Sequence, residues 1–232
     1  MAEMPTDRLP EGEEKRAAVQ SMFDGIAPRY DLINRIMTFR LDVRWRREAL
    51  RSLRLRPGAL VADLAAGTGD FSVALANAGC RPVGIDLSMG MLVASRSAAP
   101  RVQADLLTLP TPDRVFDAAV CGFALRNLVD LPPFLAELHR TVRPGGRIAL
   151  LDVSTPDNRL VALGHGIYFN RVVPLIGGLL SSRSAYAYLP RSVSYLPSPE
   201  RMLTMARDAG LVEVERRQLS GGLTQLITAT RP

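Results

Sequence analysis

The stretch that decides the fold runs from Val61 to Asp70 and reads Val-Ala-Asp-Leu-Ala-Ala-Gly-Thr-Gly-Asp. The apolar run that leads into it, residues 59–64, is typical of a buried parallel strand. Gly67 and Gly69 then break the strand, and the apolar residues behind them predict a helix. A strand, a glycine turn and a helix predict a ligand-binding turn, because glycine lets the backbone approach a bound molecule and the helix offers free N–H groups.

A second predicted strand, residues 82–85, ends in Asp86, seventeen residues after Gly69. An acidic side chain at the tip of that strand can accept hydrogen bonds from both hydroxyls of a ribose. The alternative is that Asp86 only caps the next helix, which we predict over residues 88–98; Ser88 could cap that helix instead. An adenosine-containing ligand is therefore expected beside the glycine turn.

Three further carboxylates narrow the choice of ligand. Asp70 lies where a pyrophosphate would approach the helix, and a negative charge there would repel it. Asp63 could attract an amine through a water molecule, which favours S-adenosylmethionine over a nicotinamide dinucleotide. Asp105 follows a short third strand and could hold the adenine amino group, with Leu106 packed on the ring. The alternative for Asp105 is an ordinary turn residue.

Predicted strands and helices alternate after an N-terminal helical segment, which indicates an α/β fold with an open parallel sheet. Ligands bind at the carboxyl ends of the strands of such a sheet. The fourth predicted strand, residues 116–123, leads into Arg126 and Asn127, so these side chains are expected where a substrate meets the cofactor. A salt bridge from Arg126 to Asp31 or Asp130 is the alternative.

The sequence predicts a single domain behind a mobile tail. The predicted segments are the tail at residues 1–14, a helical cap at 15–56, a cofactor-binding core at 57–153, a helical lid at 154–200, and a last helix with an antiparallel hairpin at 201–232. Polar residues and glycines interrupt the apolar part of the lid, which favours a lid over a transmembrane span.

The composition limits the partners. The 232 residues carry a net charge of +6, almost entirely from arginine, and Lys15 is the only lysine. This arginine bias is interpreted first as a property of genome composition, and the alternative is a basic face that helps the protein visit anionic membrane surfaces. No nucleic-acid motif accompanies the charge, so we expect no nucleic-acid partner. Cys80 and Cys121 are interpreted as buried apolar side chains, and no metal site is predicted. Since no export signal is seen, a cytoplasmic location is expected.

Five stretches, in order over nearly the whole chain, resemble the ubiquinone/menaquinone biosynthesis C-methyltransferases. They are residues 23–34, 63–70, 86–92, 123–127 and 219–222. The first and fourth are particular to this family, whereas the glycine stretch marks S-adenosylmethionine methyltransferases in general. The resemblance implies a class I, Rossmann-like methyltransferase fold. It also implies S-adenosylmethionine as methyl donor, S-adenosylhomocysteine as product, and a demethylmenaquinol-like polyprenyl quinol as substrate.

Matching positions in the family imply cofactor contacts from Thr68, Asp86, Asp105 and Leu106. The full predicted cofactor-binding set is Asp63, Ala65, Gly67, Thr68, Gly69, Asp86, Leu87, Asp105, Leu106 and Gly122. The chain departs from the family pattern at Gly122, where a serine is common, and at Arg40, where a small residue is usual.

A quinol ring carbon becomes nucleophilic when the neighbouring hydroxyl loses its proton, and it must then lie in line with the C–S bond. We expect Arg126 to stabilise the developing phenolate, directly or through a water that takes the proton. Asn127 and Tyr30 would position the ring hydroxyl, and Tyr188 would close over it. The alternatives are a divergent methyltransferase for another phenolic or polyketide ring, a cofactor-binding protein without catalysis, and a dinucleotide-dependent dehydrogenase.

The expected partner is a lipophilic small-molecule quinol. Collecting such a substrate would bring the protein into peripheral contact with the inner face of the membrane. The sequence leaves a homodimer open.

Overall fold

The computed structural model describes residues 11–156 and 192–232. The strands are β1 Leu60–Leu64, β2 Arg81–Asp86, β3 Arg101–Gln103, β4 Phe116–Gly122, β5 Val142–Val153, β6 Val212–Leu219 and β7 Thr224–Thr230. They form one seven-stranded sheet in the order β3-β2-β1-β4-β5-β7-β6. The first five strands run parallel, and β7 is antiparallel to both β5 and β6. The strand order reverses between β1 and β4, which is where ligands bind in open α/β sheets.

Helices cover both faces of the sheet. Those described are α1 Gly12–Ile26, α2 Tyr30–Met37, α3 Leu41–Ser52, α4 Asp70–Asn77, α5 Met89–Val93, α6 Leu131–Thr141 and α7 Pro199–Asp208. On one face, α3 and α4 pack on the sheet through Trp45, Ala49 and Leu75. On the other face, α6 and α7 pack through Phe134 and Met202. Successive side chains of a strand point to opposite faces, so β1 contributes to both cores.

The predicted α/β order and the terminal hairpin are confirmed. A short turn at Ser220–Gly222 joins β6 to β7. Gly221 and Gly222 both have positive φ there, which glycine adopts without steric cost. Cys80 and Cys121 are buried, unpaired side chains, as expected. Among the described helices, none is long and apolar enough to cross a membrane. Most of the predicted lid lies outside the described residues.

Two predicted helix boundaries are wrong. The helix predicted over residues 88–98 ends at Val93. The chain beyond it turns back to the glycine turn, where the Arg96 amide donates to the Thr68 carbonyl at 3.0 Å. At the N-terminus, α1 begins at Gly12 and so takes in the last residues of the predicted tail. Acidic residues in its first turn favour this earlier start, because they complement the helix dipole.

Candidate functional site

A cavity of about 880 Å³, counting its mouth, opens at the carboxyl ends of the central strands. The strand tips form its floor, and α1, α2 and α3 form its roof. The floor residues are Ala65, Ala66, Gly67, Thr68, Asp86, Leu87, Ser88, Asp105, Leu106, Gly122, Phe123, Ala124, Asn127 and Leu128. The remaining lining residues are Val19, Gln20, Phe23, Tyr30, Arg46, Asp70, Phe71 and Met91. Eight of the ten predicted cofactor-binding residues therefore line the same cavity as Tyr30 and Asn127 of the predicted substrate half.

Asp86 holds the floor of the cavity together. One carboxylate oxygen accepts the Gly67 amide at 2.8 Å, and the other accepts the Ser88 amide at 2.8 Å. Burial raises the pKa of Asp86, and these backbone hydrogen bonds oppose that shift. The Ser88 hydroxyl caps α5 by accepting the Met91 amide. The capping role proposed as an alternative for Asp86 thus belongs to Ser88.

Asp105 is held by a turn and by an ion pair. One of its oxygens accepts the Leu107 amide at 2.9 Å, and the other lies 2.9 Å from Arg16 Nε on α1. Both the turn interpretation and a position in the cavity are therefore correct for this residue. Leu106 is buried beside it and also lines the cavity. The pair places an apolar surface next to a carboxylate, which suits a flat ring with an amino group.

Asp63 lies behind the cavity wall and does not line it. Its side chain points from β1 towards α4 and accepts the Ser72 hydroxyl at 2.6 Å. Within the described part of the chain, its other oxygen is buried and accepts no hydrogen bond. Burial raises the pKa of Asp63 to about 7. A direct contact between Asp63 and a ligand is therefore not built into the cavity.

Gly69 also does not line the cavity. A glycine is needed there because the neighbouring residues pack closely against it. Its φ is +86°, and a Cβ atom would lie 2.5 Å from the Ser95 hydroxyl oxygen. Gly67, with φ +55°, is the glycine that reaches the cavity. Ala65, at φ +53°, adopts a left-handed backbone conformation in the same turn. The turn thus carries backbone strain at a residue that lines the cavity.

Asp70 is surrounded by guanidinium groups. Arg96 Nη2 lies 2.6 Å from its carboxylate, and Arg35 and Arg46 each lie 3.5 Å away. These three cations balance the negative charge on which the predicted repulsion of phosphate depended. Asp70 alone therefore does not discriminate S-adenosylmethionine from a dinucleotide.

Tyr30 and Asn127, two residues of the predicted substrate half, both line the cavity. Tyr30 begins α2, and its ring packs edge-on against Phe23 at 6.0 Å between centroids. Burial raises the pKa of the Tyr30 phenol, and the positive charges of Arg46 and Arg126 partly oppose the shift. The phenol is therefore protonated at neutral pH and available as a hydrogen-bond donor.

Arg126 is buried behind the floor, in an ion pair with Asp152 of β5. Neither Asp31 nor Asp130, the partners considered from the sequence, forms this pair. Arg126 also donates to the Phe123 carbonyl at 3.0 Å and to the Ser192 hydroxyl at 3.2 Å. The guanidinium does not line the cavity, so its expected contact with substrate stays a prediction. Tyr188 lies outside the described residues.

Sequence reasoning missed Arg46, which lines the cavity. Arg46 lies 2.5 Å from the fully buried carboxylate of Asp42 and sits 5.3 Å from the Phe123 ring centroid. The spacing of Asp42 and Arg46, four residues apart on one helix, is a pattern that could have revealed it. Trp45 and Ala49 of the same helix are buried, which places this stretch against the protein rather than in solvent.

Substitutions at Gly122 and Phe71 should have coupled effects on the free energy of unfolding. A Cβ atom at Gly122 would lie 2.5 Å from Phe71 Cε2. We expect Gly122→Ser to lower the free energy of unfolding by about 1 to 3 kcal/mol through overpacking. Phe71→Leu removes the clashing ring, so the double variant should be more stable than the sum of the single effects predicts. Urea unfolding of all four proteins measures the coupling, and strictly additive effects would contradict it.

Asp63 should make stability pH-dependent. Its pKa of about 7 exceeds the 3.8 of an ordinary aspartate, so the folded chain binds the proton more tightly than the unfolded chain. The group therefore lowers the free energy of unfolding as pH rises from about 4 to about 7. The free energy of unfolding of Asp63→Asn, measured relative to that of the wild type, should rise by about 2 to 3 kcal/mol between pH 5 and pH 8. Denaturant unfolding at several pH values tests this.

Ser72→Ala is the matched control for that measurement. It keeps the carboxyl group and removes a hydrogen bond that lowers the pKa of Asp63. The control should therefore keep the wild-type slope of stability against pH or steepen it. Parallel curves for wild type and Asp63→Asn would show that Asp63 does not titrate as described.

The chain is 37% identical over 230 residues to the ubiquinone/menaquinone biosynthesis C-methyltransferase UbiE of Geobacter sulfurreducens, covering 94% of this chain and 90% of that protein. It is 40% identical over 221 residues to the demethylmenaquinone methyltransferase of Thermus thermophilus, covering 91% of this chain and 100% of that protein.

The fold is also found among solved structures. A SAM-dependent methyltransferase from Thermotoga maritima superposes with a TM-score of 0.61 at 18% identity, covering 92% of this chain and all of that one. This likeness establishes the class I, Rossmann-like methyltransferase fold. The sequence matches the ubiE/COQ5 methyltransferase family over residues 11–231. With nearly its full length inside that match, this chain belongs to the ubiE/COQ5 methyltransferase family.

Proposed function

We propose that this protein methylates a carbon of a quinol ring with S-adenosylmethionine, and that it converts demethylmenaquinol to menaquinol. The observation that carries the proposal is one shared cavity, in which the strand-tip carboxylates of Asp86 and Asp105 lie with the side chains of Tyr30 and Asn127. The relative from Thermus thermophilus is named a demethylmenaquinone methyltransferase, and the match covers its whole length. The geometry and the relatives thus support the same reaction.

The floor of the cavity fits the methyl donor. Asp86 uses one acceptor site of each oxygen for the backbone, which leaves sites for two ribose hydroxyls. Asp105 and Leu106 suit the amino group and the face of an adenine. S-adenosylmethionine, when bound, supplies a methyl group on a positively charged sulfur.

The residues of the roof would bind the quinol, which is the methyl acceptor. The protonated Tyr30 phenol donates a hydrogen bond to the ring oxygen, and this bond strengthens as negative charge develops. Arg46 adds positive charge to the same cavity. The hydroxyl proton of the quinol would leave to water, and the ring carbon would bond to the methyl group as the methyl–sulfur bond breaks and its electron pair stays on sulfur. The same carbon would then lose its hydrogen as a proton, and the ring oxygen would take a proton back, so that the net reaction releases one proton.

Arg126 acts in this scheme as a positioning residue. Its guanidinium and the Asn127 amide both donate to the Phe123 carbonyl, at 3.0 and 3.4 Å. Asp152 balances its charge from behind. Arg126 therefore holds the loop that presents Asn127 to the ring hydroxyl, rather than stabilising the phenolate by direct contact.

The polyprenyl tail of such a quinol resides in a membrane, so the enzyme meets the membrane peripherally to collect its substrate. The net charge of +6 supports attraction to an anionic surface. A homodimer stays a prediction.

Methyl transfer from labelled S-adenosylmethionine tests the function. We expect the label on a short-chain demethylnaphthoquinol, with weaker labelling of prenylated benzoquinols and simple phenols. Carbon NMR should find the new methyl group on a ring carbon rather than on oxygen. Absence of label from every acceptor would overturn the function, and labelling of a polyketide or simple phenol alone would overturn the quinol assignment.

The positioning role of Arg126 is tested by substituting Arg126 and its ion-pair partner Asp152 together. Arg126→Gln alone would leave a buried carboxylate uncompensated and cost about 3 to 5 kcal/mol of stability. Arg126→Gln with Asp152→Asn removes both charges and should fold. We expect this pair to bind S-adenosylmethionine normally while the KM for the quinol rises about tenfold, the loss of roughly one positioning hydrogen bond.

Asp117→Asn with Arg143→Gln is the control, because it removes a second ion pair that lies away from the cavity. Both kinetic constants should be unchanged in the control. Unchanged KM and kcat in the Arg126 and Asp152 pair would contradict the positioning role.

A further inference from the structure

We infer that the outer face of the α2–α3 hairpin docks the protein on an anionic lipid surface. This docking face consists of the exposed apolar side chains Leu32, Ile36, Phe39 and Val43 and the exposed arginines Arg40, Arg44 and Arg47. The inference rests on the proposed function, since a membrane-resident quinol gives the enzyme a reason to bind lipid.

The apolar part of the docking face is unusually exposed. Leu32 is 60% exposed, Phe39 74%, Ile36 40% and Val43 38%. Leu32 and Ile36 lie one turn apart on α2, while Ile33 of the same helix is fully buried. The helix therefore has two apolar sides, one in the core and one in solvent. Neighbouring exposed apolar side chains of this size mark an interaction surface.

The charges on the docking face have one sign. Between residues 28 and 47 the acidic residues are Asp31 and Asp42. Both turn inward: Asp31 accepts the Thr68 hydroxyl and pairs with Arg96, and Asp42 is fully buried against Arg46. The outer face is left with arginines beside apolar side chains. This composition fits an anionic headgroup layer, whereas two copies of the face would repel one another.

The position of the docking face relates it to the cavity. Tyr30 of α2 and Arg46 of α3 line the cavity on the inner side of the same two helices. Docking through the outer side would therefore bring the roof of the cavity to the lipid surface.

Co-sedimentation of the full chain with vesicles tests the inference. We expect binding to phosphatidylcholine vesicles that contain phosphatidylglycerol, and little binding to phosphatidylcholine alone. Arg44→Gln with Arg47→Gln should weaken the partition coefficient by about 30-fold. Leu32→Gln with Ile36→Gln should weaken it by about tenfold. Raised salt should weaken wild-type binding, because the attraction is screened.

Matched controls carry the same chemical changes elsewhere. Arg201→Gln with Arg207→Gln removes two exposed charges from α7, and Val212→Gln changes an exposed apolar residue on β6. Both controls should bind vesicles as wild type does. Equal loss in variants and controls, or equal binding to the two kinds of vesicle, would overturn the docking face. A change from dimer to monomer in the Leu32 and Ile36 variant, without loss of vesicle binding, would also overturn it.

Activity separates this inference from the proposed function. Docking-face variants should methylate a short-chain quinol in solution at the wild-type rate and lose activity only on a polyprenyl quinol in anionic vesicles. Equal loss on both substrates would overturn the docking role. Failure of the wild-type protein to methylate any quinol would overturn the proposed function. The vesicle-binding measurement would still test the docking face, because it does not depend on activity.

Discussion

The cavity depends on one carboxylate, that of Asp31, which ties the helical roof to the glycine turn. Its oxygens accept the Thr68 hydroxyl at 2.5 Å and Arg96 at 2.8 Å. Arg96 in turn pairs with Asp70 at 2.6 Å. Without this network, α2 would lose these polar contacts with the glycine turn, and the cavity would be more open to water. The interactions are partly buried, so water and salt screen them less than pairs on an open surface.

Enclosure by the roof also determines the chemistry available in the chamber. The Tyr30 phenol is protonated at neutral pH, and burial raises its pKa further, so it is a donor rather than an anion. Arg46 lies near it, held by the buried carboxylate of Asp42 and resting against the rings of Phe71 and Phe123. A neutral donor and a fixed cation in a place of low polarity stabilise negative charge more strongly than they would in water. The same two helices present apolar side chains and arginines outward.

Much of the fold follows from local patterns. The apolar run before Gly67 predicts β1, and Asp86 at the tip of β2 is where the pattern places it. These predictions succeed because strand burial and a glycine turn are properties of neighbouring residues. The helix predicted over residues 88–98 fails for the opposite reason. It ends at Val93 because Arg96 bonds to residues far away in the sequence, and helical propensity does not register such contacts.

The sequence by itself determined the α/β order, the glycine turn, the acidic strand tips and, through its motifs, the resemblance to quinone-biosynthesis methyltransferases. Only the tertiary structure decided which side chains reach the cavity. It places Asp63 and Arg126 behind the wall, brings Arg46 into the chamber, and fits Phe71 into the space that Gly122 leaves. The physical reason is that a motif specifies residue types along the chain. Burial, ion pairing and close packing depend on which distant residues the folded chain brings together.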